Sequence, residues 1–265
     1  MLRSLYSGVT GMRNHQLRMD VVANNIANVN TTAYKAARAS FQDNLYQTLR
    51  SASATGTSNV APLQVGSGVN MASIDTVFLQ GALQVTGRPL DLAIQGNGFF
   101  AIKKAADSDV TYYTREGSFF LNTEGYLVNS QGYYVLDTTG STIQITEQVA
   151  SIQIARDGTI SYTGLDGTVE VLPNKIGLAY IQNPESLLRE GQNLYAVSLN
   201  TAEPSLGEAG TEGRGTIEGG FLEMSNVDLS LEFTNMIITE RGYQANARVI
   251  TTSDEMLREL IDLKR

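Results

Sequence analysis

Both ends of the chain carry the same spacing of apolar residues. Between residues 226 and 264, ten positions follow one another in steps of four and three, and eight of them are apolar. This spacing is the period of about 3.5 residues of a coiled-coil seam, and it predicts one long C-terminal helix. The apolar positions of this C-terminal seam are Leu229, Phe233, Met236, Tyr243, Ala247, Ile250, Leu257 and Ile261.

Residues 3–28 repeat the pattern and predict a second helix. Seven of eight successive positions in the same steps are apolar, beginning at Leu2. The apolar positions of this N-terminal seam are Leu2, Leu5, Val9, Met12, Met19, Ala23 and Ile26. Leu5 and Val9 are expected opposite Ile250 and Leu257.

Two interpretations fit the matching seams. In the first, the terminal helices of a globular domain pack against each other and nothing more. In the second, they form a coiled coil that also builds an assembly, and the large apolar residues of both seams are its interface. A helix of this length with such a seam is not satisfied alone, so a partner is expected in either case.

The pattern between the helices changes to a period of two. From about Leu63 to Gly220, short alternating runs are separated every eight to ten residues by turn dipeptides such as Glu124-Gly125 and Gln131-Gly132. This arrangement is typical of an antiparallel β domain. Residues 35–49 have apolar positions at i, i+4 spacing and predict a weaker helix. The polar stretch 51–59 predicts a flexible or extended linker.

The predicted fold is therefore α+β, with paired N- and C-terminal coiled-coil-like helices flanking a central antiparallel β domain. Its parts are 1–34, the N-terminal helix of an α-helical core domain, and 35–68, a connecting segment and linker. The central β domain follows at 69–220, and 221–265 forms the C-terminal helix of the core domain.

Composition narrows the classes of function. The net charge is −8 and no dense Lys/Arg cluster occurs, which disfavours nucleic acid as a partner. No cysteine is present, so there is no disulfide framework. No apolar run is long enough to insert into a membrane, and the N-terminus lacks the apolar region of a secretory signal. The protein is expected to be cytoplasmic or exported by a machine that recognises another signal.

No constellation of residues indicates catalysis, a cofactor or a metal. The single histidine, His15, has no second imidazole or thiol to share a metal ion with, so a solvated or interface histidine is favoured. Gly96-Asn97-Gly98 lacks the third glycine of a dinucleotide loop and predicts a hairpin turn. We therefore expect no catalytic, cofactor-binding or metal-ligating residue, and no enzyme activity.

Three separated motifs resemble those of bacterial flagellar rod and hook proteins. The first joins Ala23-Asn-Asn-Ile-Ala-Asn28 to Thr32-Ala-Tyr-Lys35, with Ala33 where the family usually has glycine. The second comprises residues 87–100 and 113–119 of the β domain. The third comprises residues 225–228, 241–246 and 252–257. The family-motif residues are Asn24, Asn25, Asn28, Asn226, Asp228, Tyr243 and Asn246.

The resemblance covers nearly the whole chain, and its length and residues 42–68 are most similar to the distal rod members of the family. It implies a non-enzymatic subunit in the basal body of the flagellum, exported by the flagellar type III apparatus. Such subunits polymerise helically into a hollow shaft that transmits torque. The implied partners are further copies of the chain and other rod, hook and hook-junction proteins. A hook protein or rod-like paralogue is the alternative, and an adhesive module with a coiled-coil stalk is a rival of another class.

Overall fold

A computed structural model describes residues 2–51, 53–55, 58–105, 110–145, 149–164 and 167–263. It has one helix near each end, α1 (Leu2–Ala27) and α2 (Leu229–Asp262), with β-strands between them. The paired strands are antiparallel throughout the part of the chain that is described. The predicted α+β fold with terminal helices around an antiparallel β domain is confirmed.

The chain divides into two compact units. The helical unit comprises Met1–Ala27, Ala37–Val77 and Asp228–Arg265, and the β unit comprises Asn28–Ala36 and Phe78–Val227. This division differs from the predicted one, because residues 37–77 group with the helices and residues 28–36 group with the β strands.

The strands of the helical unit form one antiparallel ribbon. Its six strands form three nested pairs: the first strand pairs with the sixth, the second with the fifth and the third with the fourth. The strands are β1 (Ala37–Asp43) with β6 (Val69–Thr76), β2 (Tyr46–Arg50) with β5 (Leu63–Gly66), and β3 (Ser53–Thr55) with β4 (Ser58–Val60).

The ribbon corrects one prediction. Residues 35–49 do not form the predicted helix, since residues 37–43 and 46–50 are strands. The spacing of four that links Ala37, Phe41, Leu45 and Leu49 is an even number, and residues at that spacing can share one face of a strand as well as one face of a helix. The stretch 51–59, predicted as a flexible or extended linker, is extended at residues 53–55 and 58–59, which belong to β3 and β4. Ala52, Gly56 and Thr57 lie outside the described residues.

A nine-stranded sheet with smaller sheets beside it forms the β unit. The large sheet has the order β11-β12-β13-β9-β10-β19-β18, with β17 pairing β9 and β20 pairing β17. Its strands are β9 (Phe99–Lys103), β10 (Thr111–Thr114), β11 (Phe119–Leu121), β12 (Leu127–Asn129), β13 (Tyr134–Val135), β17 (Leu178–Tyr180), β18 (Leu188–Gly191), β19 (Leu194–Ala196) and β20 (Ser205–Gly207).

The remaining strands make one three-stranded sheet and two pairs. The three-stranded sheet has the order β14-β15-β16, and β7 pairs β22 while β8 pairs β21. Their bounds are β7 (Leu83–Val85), β8 (Leu92–Gln95), β14 (Val149–Ile154), β15 (Thr159–Gly164), β16 (Val169–Lys175), β21 (Thr216–Gly219) and β22 (Phe221–Glu223).

The apolar core of the β unit lies on both faces of β9. Phe100 and Ile102 belong to the larger buried cluster, whereas Phe99 and Ala101 belong to the smaller one. Successive side chains of a strand point to opposite faces, so a strand that is apolar at every position is buried on both. This explains why residues 99–102 form a continuous apolar run.

Candidate assembly surface

Helices α1 and α2 pack against each other in opposite directions through small and polar residues. Ser4 and Ser253 hydroxyls lie 3.2 Å apart near one end of the pair. Near the other end, Asn25 Nδ2 donates to Glu232 Oε1 at 3.2 Å. Between them, Arg18 reaches Asn235 Oδ1 at 3.3 Å. We call the residues that meet across the helix pair the contact stripe. On α1 they are Ser4, Gly8, Gly11, His15, Arg18 and Asn25, and on α2 they are Glu232, Asn235, Gly242, Asn246, Ile250 and Ser253. Most of them recur every three or four residues, as in a coiled coil, but few are large and apolar.

Three glycines allow this close approach. A Cβ added to Gly242 would lie 2.5 Å from the His15 ring, and one added to Gly11 would lie 2.7 Å from the Asn246 amide. A Cβ on Gly8 would lie 3.0 Å from Ile250. Cβ contacts as short as those at Gly242 and Gly11 are essentially absent from packed proteins, so a side chain at either position would force His15 or Asn246 to move. The contact at Gly8 is tight but would need only a small shift of Ile250.

The ribbon covers a second side of α1. Asn14 Nδ2 donates to the Val69 carbonyl at 2.7 Å, and the rings of His15 and Phe41 meet edge to face with centroids 5.9 Å apart. Burial lowers the pKa of His15 below its usual value, and the nearby Arg18 charge lowers it further. His15 is thus an interface histidine, and both effects favour its neutral form.

Most residues of the predicted seams lie beside the contact stripe, whereas Ile250 lies within it. Val9, Leu229, Phe233, Tyr243 and Ile261 are exposed. The side chain of Leu2 lies outside the described residues. The half-buried seam residues are Leu5, Met12, Met19, Ile26, Met236, Ile250 and Leu257.

The pairing predicted across the seams is wrong in one respect. Ile250 does face α1, but Gly8 lies against it there. Val9 is half exposed and so is not buried against α2. The reason is that glycine, serine and asparagine at three- and four-residue spacing permit a closer helix contact than leucine and valine, and a count of apolar positions misses such a stripe.

A further apolar stripe follows the other flank of α2. Its members recur at intervals of seven, eleven, seven and seven residues, which correspond to about two or three turns of an α-helix. Their side chains are between 42 and 82 % exposed. We call this set the outer stripe; it consists of Leu231, Ile238, Val249, Met256 and Leu263.

The helical unit has almost no apolar core of its own. Among the described residues of this unit, Val22 is the one apolar side chain that is more than nine-tenths buried. The β unit, in contrast, buries two apolar clusters. Exposed apolar residues on this scale mark a surface that a partner covers.

Three family-motif residues of the helical unit form hydrogen bonds that hold backbone segments in place. Asn25 is buried and is joined to Ala37 by two hydrogen bonds, accepting from its N–H at 2.9 Å and donating to its carbonyl at 2.8 Å. Asp228 caps α2 by accepting from the N–H groups of Ser230 and Leu231. Asn246 donates to the Gly242 carbonyl beside Gly11. Asn25 thus ties the end of α1 to the start of β1.

The motif residues of the β unit also hold backbone in place. Asn28 Oδ1 accepts from the Thr31 hydroxyl at 3.1 Å. Asn226 Oδ1 accepts from the Ala36 N–H at 2.8 Å, and its Nδ2 donates to the Leu79 carbonyl at 3.1 Å. The two remaining family-motif residues, Asn24 and Tyr243 of the helical unit, are exposed.

A buried ion cluster fixes residues 32–35 in the β unit. Lys35 Nζ lies 2.6 Å from Glu223 Oε1, and the side chains of both are fully buried. Arg115 lies 3.3 Å from Glu223 Oε2. Burial lowers the pKa of Lys35, although the Glu223 charge opposes the shift. Buried charges persist only when they are paired in this way, so Lys35 anchors its segment.

Ala33 adopts the left-handed backbone region, with φ of 57°. It is buried, and its N–H donates to the Glu223 carbonyl at 2.7 Å. Alanine thus adopts here a backbone conformation that glycine adopts without strain.

The described residues show no group of three or more His, Asp or Glu side chains placed to hold a metal ion. Neither of the described helices has the length and apolar character that crossing a membrane requires.

Comparisons with known proteins match the whole chain to flagellar proteins. Family models match at residues 5–35 (flagella basal body rod protein), 93–162 (flagellar hook protein FlgE/F/G D1 domain) and 218–263 (flagellar basal body rod FlgEFG protein C-terminal).

Individual relatives match over their full length. The flagellar basal-body rod protein FlgG of Bacillus subtilis is 46% identical over 268 residues, covering 100% of both chains. The FlgG of Borreliella burgdorferi is 38% identical over 271 residues, again with 100% of both. The flagellar hook protein FlgE of the same organism is 29% identical over 446 residues, with 100% of both chains covered. This chain therefore belongs to the family of flagellar basal-body rod proteins.

Proposed function

We propose that this chain is a structural subunit of the distal rod of the flagellar basal body, and that it polymerises helically into a hollow shaft that transmits torque. The observation that carries the proposal is the exposed apolar surface of α1 and α2 around a contact stripe of small and polar residues. Helices that bury so little of their apolar surface are completed by neighbouring copies.

Two apolar surfaces on α2 suit a polymer better than a dimer. The predicted seam lies on one flank of the contact stripe and the outer stripe on the other, since α-helical positions advance by about 100° per residue. One additional helix cannot cover both flanks. A subunit with neighbours on two sides does so, and repetition of such unlike contacts gives a helical array.

The same surface is consistent with export before assembly. An apolar helical surface exposed inside the cell would invite premature association, and a chain that passes the flagellar type III apparatus unfolded avoids it. We propose that further copies of the chain, the export apparatus, and other rod, hook and hook-junction proteins are its partners. No catalysis is required for this role.

A hook subunit is the second candidate, because a hook protein is among the relatives. The lower identity and the alignment length of 446 positions favour the rod, since the rod relatives align over 268 and 271 positions with a chain of 265 residues.

The test places a charge on each flank of α2. Phe233→Asp changes the predicted seam and Ile238→Asp changes the outer stripe, and both residues are half exposed. Because neither side chain is buried in the single chain, we expect the melting temperature of the protein to change by less than about 2 °C. Polymers seen by electron microscopy, and motility of cells carrying either variant, should be lost. Burying a charge in an interface costs more free energy than an apolar contact provides.

The matched control is Arg248→Ala, which changes the net charge by the same amount at an exposed position. Glu259→Ala is a second control on the charged side of α2. Both should assemble and support motility. Normal basal bodies in cells carrying Phe233→Asp and Ile238→Asp would show that α2 is not an assembly surface.

A further inference from the structure

A fully exposed leucine stands on a firmly held loop of the β unit. Leu199 lies in the turn of residues 198–201, where the Thr201 N–H donates to the Ser198 carbonyl at 3.0 Å. The Ser198 hydroxyl donates to the Ser186 carbonyl at 2.8 Å, and the hydroxyls of Ser186 and Thr201 lie 3.0 Å apart. The turn is thus fixed at its base, and the leucine side chain projects from it without protein contact. We call Leu199 and this turn the leucine knob.

The surroundings of the knob are apolar at the centre and acidic at the rim. Val197 lies two residues before Leu199, and Leu188 of β18 pairs with Ala196 of β19. Both Leu188 and Val197 are exposed. Three exposed carboxylates flank these segments, at Glu185, Glu190 and Glu203. Arg189, which lies between Leu188 and Glu190, donates to the Lys35 carbonyl and lies over the Tyr34 ring. An apolar centre inside a charged rim is the usual composition of a protein–protein contact.

A groove of matching character lies elsewhere in the β unit. It has a volume of about 330 Å³ and is lined by Pro89, Leu90, Leu121, Val149 and Ile152, with Arg88 as its charged residue. The Arg88 side chain is 38 % exposed and is held by Asp91 at 3.3 Å and by the Phe119 carbonyl at 2.6 Å. The groove therefore offers an apolar floor beside Arg88. The charge of Arg88 is partly offset by Asp91, but its guanidinium has more N–H donors than these two hydrogen bonds use, so it can also bind a carboxylate of the acidic rim.

The topology places knob and groove at opposite ends of one sheet. Leu121 of the groove belongs to β11, the first strand in the order of the large sheet, and Leu188 beside the knob belongs to β18, the last. A contact between two unlike surfaces of the same chain is heterologous, and its repetition gives a chain of subunits that need not close.

We propose that the leucine knob of one copy of this chain inserts into the groove of the next copy, which makes a head-to-tail contact between β units in the polymer. The contact rests on the proposed function, because it requires that copies assemble. It adds to the helical contacts a second one, formed by residues that the helices do not contain.

The absence of cysteine from the natural chain allows a direct test. Leu199→Cys and Ser151→Cys, which lines the groove, are prepared as separate full-length variants, mixed in equal amounts and assembled under mild oxidation. A disulfide forms only between cysteines whose Cα atoms come within about 7 Å. We expect the mixture to give at least about tenfold more disulfide-linked dimer than Leu199→Cys mixed with Thr168→Cys, which is exposed beside β16.

A second measurement does not depend on cross-linking. Leu199→Asp should raise the critical concentration for assembly at least about tenfold, whereas Leu199→Met should leave it within about threefold, since methionine fills a similar apolar space. The side chain contacts nothing in the single chain, so neither substitution should change the melting temperature.

The outcomes separate this contact from the proposed function. Polymers that form with no excess cross-linking in the Leu199→Cys and Ser151→Cys mixture refute the knob contact alone. Equal cross-linking by Leu199→Cys without a partner variant refutes it too, because the contact would then join two knobs. Failure of the unsubstituted chain to polymerise refutes the proposed function, and the knob contact with it.

Discussion

At the scale of single residues, the contacts that hold residues 28–36 in one conformation lower the stability of the β unit. Lys35 and Glu223 are buried as ions, and Ala33 is held in a left-handed conformation that costs about 1–2 kcal/mol for a residue with a Cβ. Buried ion pairs add little net stability but penalise every arrangement that separates them. These contacts therefore determine the conformation of the segment between α1 and β1 but add little to the stability of the protein.

Ala33→Gly should cost far less stability than the same change at a position without positive φ. Relief of the left-handed backbone, worth about 1–2 kcal/mol, offsets the loss of one buried methyl group, about 0.8 kcal/mol, and the extra backbone entropy that glycine loses on folding, about 0.5–1 kcal/mol. We expect the free energy of unfolding in urea to stay within about 1 kcal/mol of the unsubstituted value. The matched control is Ala101→Gly in β9, a buried residue without positive φ, which should lower it by about 1–2 kcal/mol. A loss for Ala33→Gly as large as that for Ala101→Gly would show that the turn is not strained.

At the scale of elements, the two helices are held close by glycine. Gly242 faces the His15 ring with no room for a Cβ, so two opposing terms act on an alanine there. Helix propensity favours alanine over glycine by about 1 kcal/mol, and forcing a methyl group into a packed contact costs about 1–3 kcal/mol. The packing cost is the larger of the two.

Gly242→Ala should therefore lower the midpoint of helix melting, followed by circular dichroism, by about 2–4 °C. In a His15→Ala background the ring is absent, and the same change should raise the midpoint through helix propensity. The sign of the effect must reverse between the two backgrounds. The same sign in both would mean that Gly242 does not pack against His15.

Elements whose apolar spacing fits only a helix or only a strand can be predicted from the sequence. Elements whose spacing fits both cannot. The long helices and the alternating strands of the β unit follow from spacing alone. Residues 37–49 were missed because a spacing of four suits both a helix and a strand, and only pairing with β6 and β5 decides between them. The contact stripe of the helices was missed because glycine, serine and asparagine contribute nothing to an apolar pattern.

Only part of the apolar surface of the helices could be located from the sequence. The predicted seams are indeed apolar surfaces of the helices, and whether they form the assembly interface stays a prediction. The outer stripe was missed because it crosses an interval of eleven residues between Ile238 and Val249, which breaks a strict heptad. The ion cluster around Lys35 joins residues almost two hundred positions apart, and spacing in the sequence carries no sign of it.

At the scale of the whole molecule, the two units differ in how they are stabilised. The β unit buries its own apolar clusters and is expected to fold by itself. The helical unit pairs its helices through polar and small residues and leaves most of its large apolar side chains in solvent. Helices with so little buried apolar area are marginal in water. Neighbouring subunits are therefore expected to supply the apolar core that the helical unit lacks.

Hydrogen exchange, compared between dilute monomer and assembled polymer, tests this central claim most directly. In the monomer, amides of α1 and α2 should exchange at least about a hundredfold faster than those of β9 and β15, because local opening of the helices costs little free energy. In the polymer, the helical amides should slow to the range of the β unit. Helices that are as well protected in a proven monomer as β9 would contradict the claim that assembly completes their core.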